Sequence, residues 1–267
     1  MNSFTQPAKK HLGQNFLHER SVIDKIVLAV DPRQGDVIVE IGPGQGALTF
    51  PLLRRHGELT AIEFDRDLHA PLRAAAHEHG QLHLIEGDVL GVDFTALAAA
   101  HGDANGQIRL VGNLPYNLSS PILFHALDHA PAVRDMHFML QKEVVERMAS
   151  GPGNKVYGRL SVMLQAYCAV TPLFTVPPGA FRPAPKVDSA VVRLIPKPID
   201  RIEVVDRQMF ANVVRAAFGQ RRKTLRNALN SVADSGQIEA AGLRPDARAE
   251  QIEVGGFVQL ANLLARQ

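Results

Sequence analysis

The chain has 267 residues, of which 46% are hydrophobic, and its formal net charge is +2. This length and composition suit one α/β domain with a smaller appendage, and the core is large enough to fold without disulfides. The single cysteine, Cys168, excludes an intramolecular disulfide framework and leaves too few sulfur ligands for a structural zinc site.

The sequence gives no indication of export or of insertion into a membrane. Residues 1–25 carry charged side chains among the apolar ones and lack the continuous apolar run of a signal peptide. No later apolar stretch approaches the roughly 20 residues that are needed to span a bilayer. We therefore expect a protein that is not exported and that works in the reducing cytoplasm.

Between residues 37 and 140, short β-branched or apolar runs alternate with longer amphipathic stretches. This alternation predicts successive βα units around a parallel sheet. The predicted strands cover residues 37–41, 59–63, 82–86, 109–112 and 136–140. The predicted helices cover residues 47–55, 66–79, 119–129 and 141–148. The pattern is typical of a doubly wound α/β domain.

The remaining sequence completes this domain and then leads into a second one. A predicted helix at residues 158–166 precedes two predicted strands, 170–176 and 189–195, which we expect to form a hairpin at the sheet edge. The prolines at residues 196 and 198 predict a stiff linker. Helical spacing returns at residues 207–218, 221–232, 238–241 and 257–264. We expect an α/β domain with an N-terminal arm over residues 1–197 and a small all-α domain over residues 198–267.

A glycine-rich turn follows the first predicted strand. Gly42, Gly44 and Gly46 stand where α/β sheets bind ligands, and glycine lets a ligand approach the backbone closely. The spacing differs from the Gly-x-Gly-x-x-Gly of nicotinamide sites, and Pro43 removes an N–H that a pyrophosphate would use. Taken alone, the turn is also compatible with a dinucleotide site or with a simple tight turn.

Acidic residues follow the next two predicted strands. Glu63 ends the second strand, where a carboxylate can accept hydrogen bonds from both hydroxyls of a ribose. Asp88 follows the third strand, where it can accept from the amino group of an adenine. A solvated acid at a strand end is the simpler interpretation of either residue alone. Together with the glycine turn, they predict a nucleoside cofactor without choosing between NAD and S-adenosylmethionine.

The motif Asn-Leu-Pro-Tyr at residues 113–116 follows the fourth predicted strand. An adenine amine is a weak nucleophile because its lone pair is delocalised into the ring. The side-chain oxygen of Asn113 and the carbonyl of Leu114 could accept its two N–H bonds and aim the lone pair at a methyl donor, with no metal required. Tyr116 would stack on a base that is splayed out of its RNA. The alternative is an Asn-Pro turn with a half-buried tyrosine.

The excess of basic residues lies after residue 200. Arg221, Arg222, Lys223 and Arg226 lie close together with no acidic residue among them. Such a cluster sets up a positive field that suits RNA phosphates. An ordinary solvated helix face is the alternative.

Six ordered motifs make the chain resemble the ribosomal RNA adenine N6-dimethyltransferases, and most closely the bacterial small-subunit (16S) enzymes. They are Gly-Gln-Asn-Phe-Leu at residues 13–17, Ile-Gly-Pro-Gly at 41–44, Asn-Leu-Pro-Tyr at 113–116, Leu-Gln-Lys-Glu-Val at 140–144, Tyr-Gly-Arg-Leu-Ser at 157–161 and Phe-Arg-Pro-Ala-Pro-Lys-Val-Asp-Ser at 181–189. The resemblance covers nearly the whole chain. Lys-Lys-His-Leu at residues 9–12 is a departure, since the family usually has a more basic run there that ends in phenylalanine.

The resemblance implies a Rossmann-like class I methyltransferase domain with a mostly parallel, seven-stranded sheet, and S-adenosylmethionine as methyl donor. The implied cofactor contacts are Asn15, Leu17, Gly42, Gly44, Glu63, Asp88 and Asn113. The resemblance also implies that Phe181 faces Tyr116 across the target adenine. Without the family, Phe181 is better interpreted as a loop aromatic that covers the core.

The implied reaction is dimethylation of the N6 amines of two adjacent adenosines, in a loop near the 3′ end of 16S rRNA. The implied partner is the small ribosomal particle, which a monomer would modify during its biogenesis, and residues 198–267 would bind RNA. Three alternatives stay open: a methyltransferase of large-subunit RNA, an assembly factor in which RNA binding dominates, and a Rossmann oxidoreductase. Residues 219–227 resemble the small-subunit type.

Overall fold

The computed structural model describes residues 6–9, 12–201, 203–220 and 222–266. Backbone proximity divides the chain into two compact units. The first unit comprises Met1–Lys142 and Thr171–Pro196, and the second comprises Glu143–Val170 and Lys197–Gln267. Residues 143–170 thus group with the C-terminal segment, and the domain boundary after residue 197 stays a prediction. Within the described ranges, no helix has the length and apolar character needed to cross a bilayer.

A seven-stranded sheet forms the centre of the first unit. The strands, in chain order, are β1 (Phe16–Leu17), β2 (Ile38–Ile41), β3 (Glu58–Glu63), β4 (Gln81–Glu86), β5 (Ile108–Asn113), β6 (Val133–Gln141), β7 (Cys168–Val176), β8 (Phe181–Arg182) and β9 (Ser189–Pro196). The sheet has the order β4-β3-β2-β5-β6-β9-β7, and β1 pairs separately with β8. Strands β2 to β6 are parallel, whereas β9 runs antiparallel to β6. The predicted doubly wound, mostly parallel sheet is confirmed.

The strand order places a ligand site at one edge of this sheet. Strand β2 is buried at all its positions. It lies between β3 and β5, so the chain winds away from it in opposite directions. Crevices beyond the carboxyl ends of strands at such a switch point are where open α/β sheets bind ligands. The loops after β2, β3, β4 and β5 therefore meet at the edge where the sequence predicts the site.

Helices connect the strands and continue beyond the sheet. In chain order they are α1 (Arg20–Val30), α2 (Thr49–His56), α3 (Arg66–Ala76), α4 (Phe94–His101), α5 (Ser119–Asp128), α6 (Lys142–Ala149), α7 (Arg159–Tyr167), α8 (Arg207–Gly219), α9 (Leu225–Ala228), α10 (Ser235–Ala240) and α11 (Val254–Leu264). Helices α1 and α4 were not among the sequence predictions. Helix α1 buries Val22, Ile26 and Val30 on one face, at the spacing of a core-facing helix.

The second unit is helical and has its own aromatic core. The buried Tyr157 donates from its hydroxyl to the Ile252 carbonyl at 2.9 Å. The Phe218 ring lies 5.6 Å from the Phe257 ring, centre to centre. These contacts join the segment before α7 to α8 and α11, within one unit.

The prediction of one helix over residues 221–232 is wrong. Helix α9 covers only Leu225–Ala228, and Thr224 precedes it in an extended conformation. The Leu225 amide donates to the Ala247 carbonyl at 2.7 Å, and the Arg226 amide donates to the Pro245 carbonyl at 3.0 Å. These amides therefore bond to a distant segment instead of to a preceding helical turn. Arg222 and Arg226 consequently do not share one helix face.

Candidate active site

A cleft of about 200 Å³ lies at the carboxyl edge of the sheet, within the first unit. Its walls come from the N-terminal segment and from the ends of β2 to β5. The predicted site residues that line it are Asn15, Leu17, Gly42, Gly44, Glu63, Asp88, Asn113, Leu114 and Tyr116. The structure thus brings together side chains that lie far apart in sequence, while their individual roles stay predictions.

The glycine turn after β2 needs glycine for two reasons. Gly42 and Gly44 have φ angles of 68° and 56°, in the left-handed region that other residues rarely adopt. A Cβ on Gly44 would lie 3.2 Å from the Phe16 ring, whereas a Cβ on Gly42 would meet nothing within 4 Å. The Gly42 amide donates to the Ile62 carbonyl at 2.9 Å. The turn is therefore anchored to β3 and leaves open space at Gly42 for a ligand.

Glu63 ends β3 as a buried acid with part of its capacity already used. One carboxylate oxygen accepts from the Gly44 amide at 3.0 Å, and the other accepts from the Asp65 amide at 2.8 Å. Burial raises the pKa of Glu63, and these two amide bonds oppose the shift. A carboxylate has about four acceptor positions, so it can still accept from ligand hydroxyls.

Asp88 follows β4 and holds the next loop in place. Its side chain accepts from the Leu90 amide at 3.0 Å and caps the short 3₁₀ helix Val89–Gly91. The carboxylate therefore has a fixed backbone partner while it lines the cleft. This arrangement positions an acceptor for a donor group on a ligand.

Asn113 ends β5, and its side-chain orientation follows from its partner. The amide nitrogen donates to the Asn15 backbone oxygen at 3.0 Å. A backbone oxygen can only accept, so this contact identifies the nitrogen and leaves the side-chain oxygen as the other polar atom. Among the residues that the structure describes, no hydrogen bond is made to that oxygen. It is a preformed acceptor in the cleft wall.

Leu114 and Tyr116 are held by strands on either side. The Leu114 amide donates to the Met139 carbonyl on β6 at 3.1 Å. The Tyr116 hydroxyl lies 2.6 Å from the Ser189 hydroxyl at the start of β9. Burial raises the pKa of Tyr116, and this hydrogen bond opposes the shift. The half-buried ring is thus fixed at the cleft and neutral near pH 7.

Phe181 is not among the described residues that line the cleft. It is 2% exposed and belongs to the core with Leu17, its antiparallel partner between β8 and β1. This placement corrects the expectation that its ring is displayed opposite Tyr116, because strand pairing turns it into the core. It matches the other interpretation from sequence, a loop aromatic that covers the core. A contact with a bound base stays a prediction.

The predicted RNA-binding residues lie in the second unit. Arg222, Lys223 and Arg226 are exposed. Arg221 lies outside the residues that the structure describes. Exposure agrees with a role in binding phosphate, and that role stays a prediction.

Glu40 is a cleft residue that the sequence prediction did not include. It is 1% exposed, and its carboxyl group accepts from the Thr49 hydroxyl at 2.6 Å. Burial raises the pKa of Glu40 to about 8, and the Thr49 bond opposes the shift. Glu40 is therefore mainly neutral at pH 7. An acidic residue inside the apolar run of residues 37–41 was the signal that could have identified it.

Comparisons with known proteins identify the family. The profile of the ribosomal RNA adenine dimethylase family matches residues 5–266. A protein of Xanthomonas campestris pv. campestris (strain B100), named ribosomal RNA small subunit methyltransferase A, is 70% identical over 262 residues, which cover 98% of each chain. The same name belongs to a Xanthomonas oryzae pv. oryzae (strain PXO99A) protein that is 69% identical over 262 residues, again 98% of each chain.

Solved structures agree with this assignment. A dimethyladenosine transferase from Plasmodium falciparum has a TM-score of 0.78 at 26% identity, over 91% of this chain and 95% of that one. The 23S rRNA methyltransferase ErmE has a TM-score of 0.69 at 24% identity, over 94% of this chain and 100% of that one, which shows a shared fold. The chain therefore belongs to the ribosomal RNA adenine dimethylase family and is an rRNA methyltransferase, not an oxidoreductase.

Proposed function

We propose that the chain transfers methyl groups from S-adenosylmethionine to the N6 amines of two adjacent adenosines, in a loop near the 3′ end of 16S rRNA. The observation that carries this proposal is the acceptor oxygen of Asn113, beside Leu114 and Tyr116, in the same cleft as Glu63 and Asp88. The small-subunit name of the 70% identical relative favours this substrate over large-subunit RNA.

The polar groups of the cleft fit S-adenosylmethionine. Glu63 has acceptor capacity left for the ribose hydroxyls, and Asp88 offers a carboxylate to the adenine amino group. The open space at Gly42 suits the methionine part, as does the nearby wall formed by Asn15 and Leu17. When it is bound, the cofactor supplies an electrophilic methyl group on a sulfonium.

The residues after β5 would prepare the target amine. The oxygens of Asn113 and Leu114 would accept its two N–H bonds, which favours a pyramidal nitrogen and points its lone pair toward the methyl donor. The Tyr116 ring, fixed through Ser189, would stack on the adenine after it leaves its RNA context. The catalytic contribution of these groups is positioning and fixed dipoles, so a strong base is not required.

The second unit would supply RNA affinity. The exposed Arg222, Lys223 and Arg226, with Arg221 beside them in sequence, suit contacts to phosphates of folded RNA. We propose that residues 198–267 form an RNA-binding domain, and that the protein acts as a cytoplasmic monomer on small-subunit particles during their biogenesis.

Primer extension over 16S rRNA from a strain that lacks the gene tests this proposal. A dimethylated N6 cannot form a Watson–Crick pair, so reverse transcriptase stops at the modified adenines. We expect the stops to be absent from the deletion strain and restored by the wild-type gene, but not by the Asn113→Ala gene. Unchanged stops in the deletion strain would contradict the proposal.

The second candidate is an assembly factor in which RNA binding dominates, which the exposed basic cluster of the second unit favours. The same strains distinguish the two functions. If the Asn113→Ala gene restores normal particle assembly without methylation, then binding is the main biological role. If assembly needs the wild-type residue, then methylation is.

A further inference from the structure

Three polar side chains form a cluster beside the cofactor end of the cleft. One Asp65 oxygen accepts from the Lys9 ammonium group at 2.5 Å, and the other accepts from the Gln14 side-chain nitrogen at 2.9 Å. The Gln14 side-chain oxygen accepts from the Lys9 backbone amide at 2.8 Å. The three residues therefore form a closed ring of hydrogen bonds.

Asp65 is the centre of this ring and is connected directly to Glu63. Its side chain is 5% exposed, and its own amide donates to the Glu63 carboxylate at 2.8 Å. Its carboxylate also caps α3 by accepting from the Asp67 amide at 3.2 Å. Burial alone would raise the pKa of Asp65, but the bonds from Lys9 and Gln14 keep it below its usual range. A buried carboxylate of this kind is costly to leave without donors.

The residues after Gln14 line the cleft and are attached at their far end. The Asn15 carbonyl accepts from the Asn113 side chain at 3.0 Å, and Leu17 pairs with Phe181 between β1 and β8. Residues 14–17 thus run from the acid that would hold the ribose to the residue that would hold the target amine. The Asp65 ring fixes the first of these two ends.

We infer that Lys9, Gln14 and Asp65 are positioning residues that set cofactor affinity by holding residues 14–17 against the cleft, an inference that rests on the proposed function. They make no contact with the target base in this scheme. Their loss should weaken the binding of S-adenosylmethionine and leave the methyl-transfer step unchanged once the cofactor is saturating.

The test compares Lys9→Met, Gln14→Ala and Asp65→Asn with a matched control, Asp93→Asn. Asp93 caps α4 through the Ala96 amide, as Asp65 caps α3, and it is not among the cleft-lining residues that the structure describes. Asparagine is a good helix cap, so both Asp→Asn changes keep the cap while removing the charge. Thermal unfolding shows whether each variant is folded.

Calorimetry with S-adenosylmethionine and hydrogen exchange without it are the two measurements. For each of the three variants we expect a dissociation constant that is higher by about tenfold or more. We also expect faster exchange of the amides of residues 14–17 in the absence of cofactor, and kcat within about twofold of wild type at saturating cofactor. The Asp93→Asn variant should match wild type in all three.

Two other results would overturn the inference. Folded variants with wild-type affinity and wild-type exchange would show that the ring does not position the segment. A loss of kcat at saturating cofactor would assign the ring to the reaction itself. If the wild-type protein did not bind S-adenosylmethionine, while the three variants still showed faster exchange, then the proposed cofactor would be wrong and the positioning role would stand.

Discussion

The Asn113 side-chain amide and the Asn15 carbonyl oxygen are joined by a 3.0 Å hydrogen bond between β5 and the N-terminal segment. The two residues are 98 positions apart in sequence. Because the bond uses the amide nitrogen, it fixes the acceptor oxygen of Asn113 in the cleft before any ligand arrives. An acceptor that is already oriented pays no reorganisation cost during the reaction.

Asn113→Ala should therefore remove methyl transfer and leave RNA binding intact. We expect a fall in the single-turnover rate on small-subunit particles by about 100-fold or more, the scale of losing one oriented polar group at a reacting centre. Asn105→Ala, in an exposed turn, is the control. A folded Asn113→Ala variant with near-wild-type turnover would rule out this role.

Glu63→Ala should weaken cofactor binding. If both ribose hydroxyls donate to the carboxylate, the loss is on the order of 1.5 to 3 kcal/mol, or roughly 10- to 100-fold in dissociation constant. Calorimetry measures the change, and Glu58→Ala at the exposed start of the same strand is the control. Equal affinities for the two variants would mean that Glu63 only anchors the glycine turn.

Glu40→Gln should change how stability depends on pH. The pKa of Glu40 is about 8 in the folded protein against 4.5 as its ordinary value. The folded state therefore holds a proton that the unfolded state loses, and this contribution is complete below about pH 4.5 and lost as the pH rises through 8.

The glutamine variant has no proton to lose, so its stability relative to wild type should rise between pH 5 and 8. The rise should approach about 1.4 kcal/mol per pH unit, the linkage value for one proton. Urea unfolding at pH 5, 6.5 and 8 measures it. A difference that stays constant across this range would show that Glu40 is ionised in the folded protein.

Much of the fold could be predicted because it is encoded locally. The apolar runs gave every strand of the seven-stranded sheet, and the turn after β2 announced itself through Gly42 and Gly44. Helix α1 was missed even though Val22, Ile26 and Val30 have helical spacing, because its cap is Glu19, a residue outside the usual N-cap set.

What the sequence could not give depends on distant contacts. The supposed helix after residue 220 is interrupted because Leu225 and Arg226 bond to residues 245–247, and no local pattern encodes that pairing. Lys9 and Asp65 are 56 positions apart, so Asp65 looked like an ordinary helix cap. Phe181 shows the same limit, since its burial follows from the pairing of two very short strands.

The basic residues of the second unit should control the salt dependence of RNA binding. Arg222, Lys223 and Arg226 are exposed, and each phosphate contact they lose should flatten the slope of log affinity against log salt by roughly one unit. The triple glutamine variant is compared with a control in which the exposed Arg20, Lys25 and Arg33 are replaced by glutamine. Cofactor affinity should not change in either variant. Equal slopes for the two variants would contradict this assignment.

The central claim is that this cleft methylates adenine N6 in small-subunit RNA. The most direct measurement incubates the purified protein and labelled S-adenosylmethionine with small-subunit particles from the deletion strain, then analyses the digested RNA by mass spectrometry. The account predicts labelled N6,N6-dimethyladenosine from two adjacent positions near the 3′ end of 16S rRNA, and none from large-subunit particles or with Asn113→Ala. Label on another base, or on large-subunit RNA alone, would contradict it.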